Sequence, residues 1–462
     1  MRFALALALH HLATALAAAG SLSATRCAIV GGGPAGLLLA HRLLESGATV
    51  KLFEGREDPR TDAQPEGRAY ALGLGLRGRT AIRTASDGAL WERVAGAGFA
   101  SDKFTLHLPF GAFDLRKPDP KMEPSILIYQ TDLCSAMLDV LEEEHGASGR
   151  LSLQFNARIA AVDPVRGEVE GEQFDCVAGC DGVQSAVRTA MCDAAADGCL
   201  EVETVQLPGF LKVVRLPRMP SALASDAVHL VPGAGGLAAF LEPTAEGCCA
   251  LISWRSVGAA EQEDPGAITD PAAARALLAS SFPTLRDALD TADAGAQFVR
   301  QRVSTASTVR CGSYHLGKAV LLGDAAHSTG GASGQGCNSA LQDAAALASA
   351  LERFGGDVEA ATAAYSRERL PEGHALLDLS VGPSREVGGL RRALFGLSSV
   401  TDTLLSKVGL SEPPLQTLLT TSLKPFAQIR RDRAALLGAF PSDAEFATAI
   451  EEASRVAEGA RV

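Results

Sequence analysis

Three glycine- and acid-bearing motifs hold the residues that could do chemistry. GGGPAG occupies Gly31–Gly36, GCDGVQSAVR occupies Gly179–Arg188, and GDAAH occupies Gly323–His327 with GQGCN following at Gly334–Asn338. In the first, Gly31 permits a tight turn after a strand, Gly33 lets backbone approach a pyrophosphate, and Gly36 lets a helix pack on the sheet. Pro34 and Ala35 open that helix, whose free N–H groups and partial positive charge face a diphosphate. Glu54 follows 18 residues after Gly36, where a carboxylate accepts hydrogen bonds from adenosine ribose hydroxyls and repels a 2′-phosphate. The pocket therefore suits FAD or NAD. A glycine turn without nucleotide is the alternative.

Asp181 and Asp324 each follow an apolar strand, at the strand end where ligands of open α/β sheets gather. Both could instead cap helices, which Asp does well. Gly334 and Gly336 precede a helix whose N–H groups can face the developing anion of a reduced flavin. His327 reads as a structural imidazole bonded to backbone near the cofactor, with a catalytic base as the other option. Together the motifs describe a dinucleotide gripped at its pyrophosphate, its linker and its redox ring. The cluster Gly233–Gly236 has no helix after it and reads as a hairpin turn. One full dinucleotide site remains, so a nicotinamide cofactor must dock transiently elsewhere.

These motifs need positioning elements, and hydropathy patterning supplies them. Arg26–Val30, the glycine turn, a helix over Gly36–Glu45 and a strand over Ala48–Glu54 form a βαβ opening. Leu133–Glu144 and Asn338–Leu351 have helical spacing, while Cys176–Gly179 and Ala319–Gly323 are buried strands. Between about 197 and 296, alternating segments at Ala227–Val231, Leu237–Leu241 and Cys249–Trp254 predict a largely antiparallel inserted sheet. The expected architecture is α/β, with a Rossmann-like parallel-sheet domain, an inserted largely antiparallel β-sheet substrate domain and a C-terminal helical region. Its expected bounds are 25–105, 125–196 and 297–355 for the cofactor domain, 106–124 and 197–296 for the substrate domain, and 356–462 for the helices.

Composition sets limits. The 462 residues carry a net charge of −12, with 47% apolar and 21% charged. No basic stripe appears, so no nucleic-acid partner is expected. Residues 3–19 are almost all Ala and Leu and no acid occurs before Glu45. Residues 1–24 thus read as a targeting leader for an organelle (mitochondrion or plastid) or the endomembrane system, or as a retained helix. No later segment is long and apolar enough to span a membrane. The ten cysteines lack C-x-x-C spacing, so no metal site is indicated and buried free thiols are expected.

At these motifs the chain resembles the FAD-dependent aromatic hydroxylases, the single-component flavoprotein monooxygenases, and within them the kynurenine 3-monooxygenase branch. FEGREDPR at Phe53–Arg60, GRAYALGLGLRGR at Gly67–Arg79, VHLVP at Val228–Pro232 and PLQTLLTTSL at Pro414–Leu423 extend the likeness. The resemblance implies FAD reduced by NAD(P)H, reaction with O₂ to a C4a-hydroperoxide, and OH transfer to a small aromatic substrate, kynurenine among the options. It implies cofactor roles for Glu54 and Arg56, for Arg68 near the diphosphate, Gln130 near the flavin, and Ile159 at the adenine from a strand after the Leu133 helix. It also implies them for Asp181 and Asp324, and places Cys337 and Asn338 beside the isoalloxazine. Gly331, Ala332, Ser333 and His229 fall at the substrate pocket.

Three departures stand out. Gln130 replaces a usual Arg, and Gly331 replaces a usual proline, with Ala332 and Ser333 in place of two phenylalanines. The branch's carboxylate clamp finds no clear counterpart among Lys103, His107, Arg116 and Tyr129. Ser384–Leu390 also lacks the expected late contacts. Two other readings follow: epoxidation or reduction of an isoprenoid-type substrate, and a flavin-binding protein with residual activity.

Overall fold

The computed structural model describes residues 22–61, 70–120, 122–195, 200–255, 264–331, 333–381, 413 and 415–434. Its organising element is a six-stranded sheet ordered His315–Leu316, Ala319–Leu321, Cys176–Gly179, Arg26–Val30, Thr49–Phe53 and Leu151–Gln154. Only the short His315–Leu316 edge strand pairs antiparallel; the rest are parallel. The central strands Arg26–Val30, Cys176–Gly179 and Ala319–Leu321 are covered on both faces and read as short apolar runs, whereas Thr49–Phe53 and the edge strand Leu151–Gln154 alternate. The helix Pro34–Glu45 carries Leu37, Leu38, Leu39, Leu43 and Leu44 at 1% exposure or less. It sits between the sheet's Ala28, Ile29 and Val50 and the helices Gln130–His145 and Gly336–Arg353. Each such leucine contributes about 1.5–3 kcal/mol.

A second six-stranded sheet runs Phe210–Leu216, Gly247–Trp254, Ala238–Thr244, Ala227–Pro232, Lys103–Leu108 and Gly111–Arg116. Its pairings are antiparallel except that Ala227–Pro232 runs parallel to Lys103–Leu108. The cluster at 233–236 forms the tight connection expected of it, between the antiparallel strands Ala227–Pro232 and Ala238–Thr244. The inserted region is not sheet throughout. Helices Pro271–Ser281, Arg286–Leu289 and Ala292–Arg300 cover one face. Asp270 caps the first through Ala272 and Ala273, and Thr291 caps the third through Ala294. That Asp-Pro-Ala start is a legible helix signal that strand alternation upstream had masked.

The other face of this sheet meets the three-stranded sheet Ala71–Leu74, Ser125–Tyr129 and Phe99–Ser101. Cys249 and Cys248 part to opposite faces: Cys249 joins Ala71, Tyr129 and Val213, while Cys248 enters the helix-covered core. Register puts Arg215 and Glu242 on either side of Cys249, so all three share the face turned to Ala71. After the core helices, Val358–Val381 continues past Pro371 and is followed by Leu415–Thr421 and Phe426–Asp432. The nine described cysteines are free; Cys199, residues 1–21 of the expected leader and residues 435–462 lie outside the described residues, while Leu22, inside the expected leader bounds, is buried in the core. Among the described residues no helix is long and apolar enough to cross a membrane.

Burial pushes the Glu242 carboxyl from its ordinary 4.5 up to about 8. Between those values the unfolded chain has lost its proton and the folded chain has kept it. Stability therefore falls as pH rises through that window and levels above it. Glu242→Gln removes this penalty, and denaturant melts of the variant should exceed wild type by about 1–3 kcal/mol at pH 8 and by little at pH 5.

Candidate cofactor cradle

The three motifs meet at the C-terminal edge of the parallel sheet. Gly31 has φ +108°, and a Cβ there would lie 2.3 Å from the Cys180 carbonyl oxygen and 2.8 Å from the Asp181 nitrogen. Gly36 is held as tightly, since its Cβ would lie 2.1 Å from the Gly31 carbonyl oxygen. Gly33 differs: a Cβ would meet nothing within 4 Å. The helix it starts carries Pro34 in its first turn, with no side-chain cap and no acid there. Open space beside uncapped N–H groups suits an anion brought close to backbone. The residues present therefore fit the diphosphate of a dinucleotide.

Glu54 ends the second strand and accepts from the backbone N–H of Gly32 at 2.7 Å and of Arg56 at 3.0 Å. The carboxylate thus ties the glycine turn to the strand end. The segment after Leu151–Gln154 returns beside it, with Asn156 N–H and Ala157 N–H donating to the carbonyls of Arg56 and Glu54. Buried Ile159 lies on this extended return and not in a strand, because Asn156 turns the chain at φ +56°. Arg68 and Ala332 lie outside the described residues.

Asp181 Oδ2 accepts from Ala186 N–H at 2.7 Å and Val187 N–H at 3.2 Å, while Ser185 caps the same helix through Arg188 N–H. The capping role is real, yet it uses one oxygen. Asp181 Oδ1 is buried without a partner, and burial raises this carboxyl. Arg188 then joins the second motif to the third, donating to the Ala325 carbonyl at 2.8 Å. Gly323 has φ +59°, and a Cβ there would lie 2.8 Å from the Ala340 methyl and 4.0 Å from the Ala35 methyl of the first motif. Exposed Asp324 places Oδ1 3.8 Å from the Cβ position of Gly336.

Asn338 is fully buried and staples the redox end together. Its Oδ1 accepts from Gly75 at 2.9 Å and Gly78 at 3.2 Å, and its Nδ2 donates to the Gly73 carbonyl at 2.9 Å. That side chain is spent on protein, so only its backbone remains for a ring beside it. Cys337 is next to it, its thiol raised by burial. Gln130 opens its helix with Oε1 buried and unpartnered. Gly331 and Gly334 take φ +78° and +66° with open space at each Cβ. A proline is fixed near −65° and could not adopt the Gly331 backbone. Buried Ser333 lends its carbonyl to Gln416 Nε2 at 3.2 Å.

Two expectations need correction. His327 bonds not backbone but Asp343, Nε2 to Oδ2 at 2.5 Å. Asp343 also accepts from Arg369 Nε at 2.7 Å and from Gly323 N–H at 2.9 Å. Burial alone would push this carboxyl up, but His327 and Arg369 hold it below its ordinary value. His229 stands apart from the cradle. It is opposite Leu241 on the helix-covered face, bonded to His107 at 3.0 Å and to the Ala224 carbonyl at 2.9 Å. Sequence reading missed Asp343, Arg369 and the Arg215–Cys249–Glu242 row; only polar residues at core positions of helix and strand could have signalled them.

Glu54→Ala leaves two N–H groups without their charged acceptor. FAD affinity should fall about 10- to 100-fold in a flavin-fluorescence titration. Asp343→Ala leaves Arg369 and His327 buried without their acceptor, and urea denaturation should show a loss of about 3–5 kcal/mol.

Comparison with known proteins agrees with this geometry. A family model described as FAD binding domain matches residues 24–380. Kynurenine 3-monooxygenase of Stenotrophomonas maltophilia (strain K279a) is 30% identical over 76% of this chain and 77% of its own length. That of Anopheles gambiae is 26% identical over 77% and 73%. Among solved structures, Klebsiella pneumoniae HpxO complexed with FAD and uric acid superposes with a TM-score of 0.62, at 19% identity over 87% of this chain and 98% of that one. The glycine turns, the acidic strand ends and these matches converge on one assignment: the chain belongs to the FAD-binding monooxygenases and is an FAD-dependent enzyme of the aromatic-hydroxylase type.

Proposed function

We propose that this monooxygenase hydroxylates a small aromatic ring carrying an ionised group, with a kynurenine-type aryl amino acid as the first candidate. The observation that carries the reading is the sheet face turned toward Ala71 and Tyr129. One row of that face, Phe240, Leu251 and Val213, is apolar, and Phe104 packs edge-on to Phe240 at 5.8 Å. The next row is polar: Glu242, Cys249 and Arg215. Arg215 lies 4.1 Å over the Tyr129 ring, and its Nε and Nη2 are buried without a hydrogen-bond partner. Two buried guanidinium nitrogens without a partner are costly, and a substrate carboxylate accepting from both relieves that cost. The apolar row offers an aromatic ring a dry surface.

The bound flavin supplies the redox and oxygen chemistry, with NAD(P)H, typical for the family, as the reductant. The chain's own residues hold it and position substrate. Gly31, Gly33 and Gly36 admit the diphosphate, Glu54 the ribose, and Asn338 fixes the backbone of residues 73–78. Tyr129, Phe240 and Leu251 keep water from the ring, and Arg215 orients its charged end. Lys103, His107 and Arg116 are engaged with Asp226, His229 and Ser125, which leaves Arg215 as the favoured carboxylate partner. An isoprenoid-type substrate is the second reading, favoured by the open space beside Gly331.

Stopped-flow flavin reduction by NADPH and NADH, run over aromatic acids that include kynurenine and over a lipophilic isoprenoid, decides between them. The proposal expects an aromatic acid to speed reduction and emerge hydroxylated. Epoxidised isoprenoid alone would reject it. Arg215→Met should raise KM for the carboxylate-bearing substrate about 10- to 100-fold with a smaller effect on kcat.

A further inference from the structure

We infer that His41, Glu144 and His145 form a site for one zinc-type divalent cation, remote from the cofactor cradle and separate from the proposed reaction. His41 lies on the helix Pro34–Glu45; Glu144 and His145 end the helix Gln130–His145 packed against it. One ligand atom from each of the three lies within 4.8 Å of the others. A point equidistant from three such atoms is about 2.8 Å from each. Side-chain shifts under about 1 Å then reach the ~2.0–2.2 Å typical of imidazole and carboxylate bonds to zinc.

The protonation pattern carries the inference. His41 is fully buried, and its Nε2 lies 2.9 Å from the Met137 carbonyl oxygen. A carbonyl only accepts, so Nε2 holds the ring proton and Nδ1 presents a lone pair. That Nδ1 is buried with no hydrogen-bond partner, and so is Nε2 of His145, which lies 3.8 Å from Glu144 Oε2. The two rings meet edge to face with centroids 6.4 Å apart. A metal-binding histidine ordinarily donates its second ring nitrogen to a carbonyl or carboxylate, which fixes tautomer and orientation. The Met137 carbonyl does this for His41. Ser86 Oγ donates to Glu144 Oε2 at 2.7 Å and steadies the third ligand in the same way.

The surroundings favour a cation. Glu144 faces both histidines, and Glu45 adds a second carboxylate nearby, its pKa raised by burial and in lesser part by Glu144. Of the nearby positive charges, Arg150 donates to the carbonyls of Leu44 and Ala48, and Arg42 pairs with Glu45 and Glu352. Two imidazoles and one carboxylate select a zinc-like ion over magnesium or calcium, with a fourth position for water.

Flavin-loaded, EDTA-washed protein titrated with Zn²⁺ alone by calorimetry, and with Co²⁺ alone by visible absorption, tests the site. The expected result is about one saturable equivalent with Kd below ~10 μM and a cobalt band. His145→Gln and Glu144→Gln, both near the surface end of their helix, should each weaken binding at least about tenfold and leave flavin content unchanged. Absence of saturable binding below ~100 μM overturns the inference, as does binding equal in wild type and both variants.

Discussion

The Gly31 backbone runs so near the Cys180 carbonyl that any side chain at position 31 would overlap it. This approach brings two stretches some 150 residues apart into one wall, and the rest of the cradle is built outward from it. Gly36 closes the helix onto the same turn, and Glu54 ties Gly32 to the second strand. The third stretch is added by Arg188 bonding the Ala325 carbonyl. The polypeptide thus supplies its own links among the three motifs.

Much of this was legible because glycines and acids at strand ends have few other uses in that order. The strand Cys176–Gly179 and the helix beginning at the first motif follow directly from apolar runs bounded by glycine. What stayed hidden depended on register. Nothing in the strand containing Arg215 says that it will be beside Cys249 and two strands from Glu242; that needs two antiparallel pairings set by remote turns. His229 was misjudged for the same reason, since its face follows from the strand it pairs with. The resemblance sets Ile159 in a strand, whereas in this chain Asn156 has already turned the backbone.

The buried polar set beneath GDAAH shows how a short helix is held at the sheet edge. Asp343 accepts from three groups on two segments: the Gly323 backbone and His327 of the motif, and Arg369 of the helix Val358–Val381. Tyr314 stacks on His327 at 5.6 Å, and a side chain at Gly373 would collide with both rings. Such a network stabilises only when its members are satisfied together. It therefore couples the helix Val358–Val381 to the motif itself, and packing far along the chain bears on the position of Asp324.

The Gly331 backbone has an evolutionary corollary. Its left-handed dihedral, shared with Gly330 and Gly334, means that the loop's course is encoded by several residues acting as a set. A pyrrolidine inserted at that one place would be incompatible with the path its neighbours define. Converting this loop into a proline-walled one demands concerted replacement of the whole stretch, so the two loop types are separated by a barrier that single-residue drift does not cross.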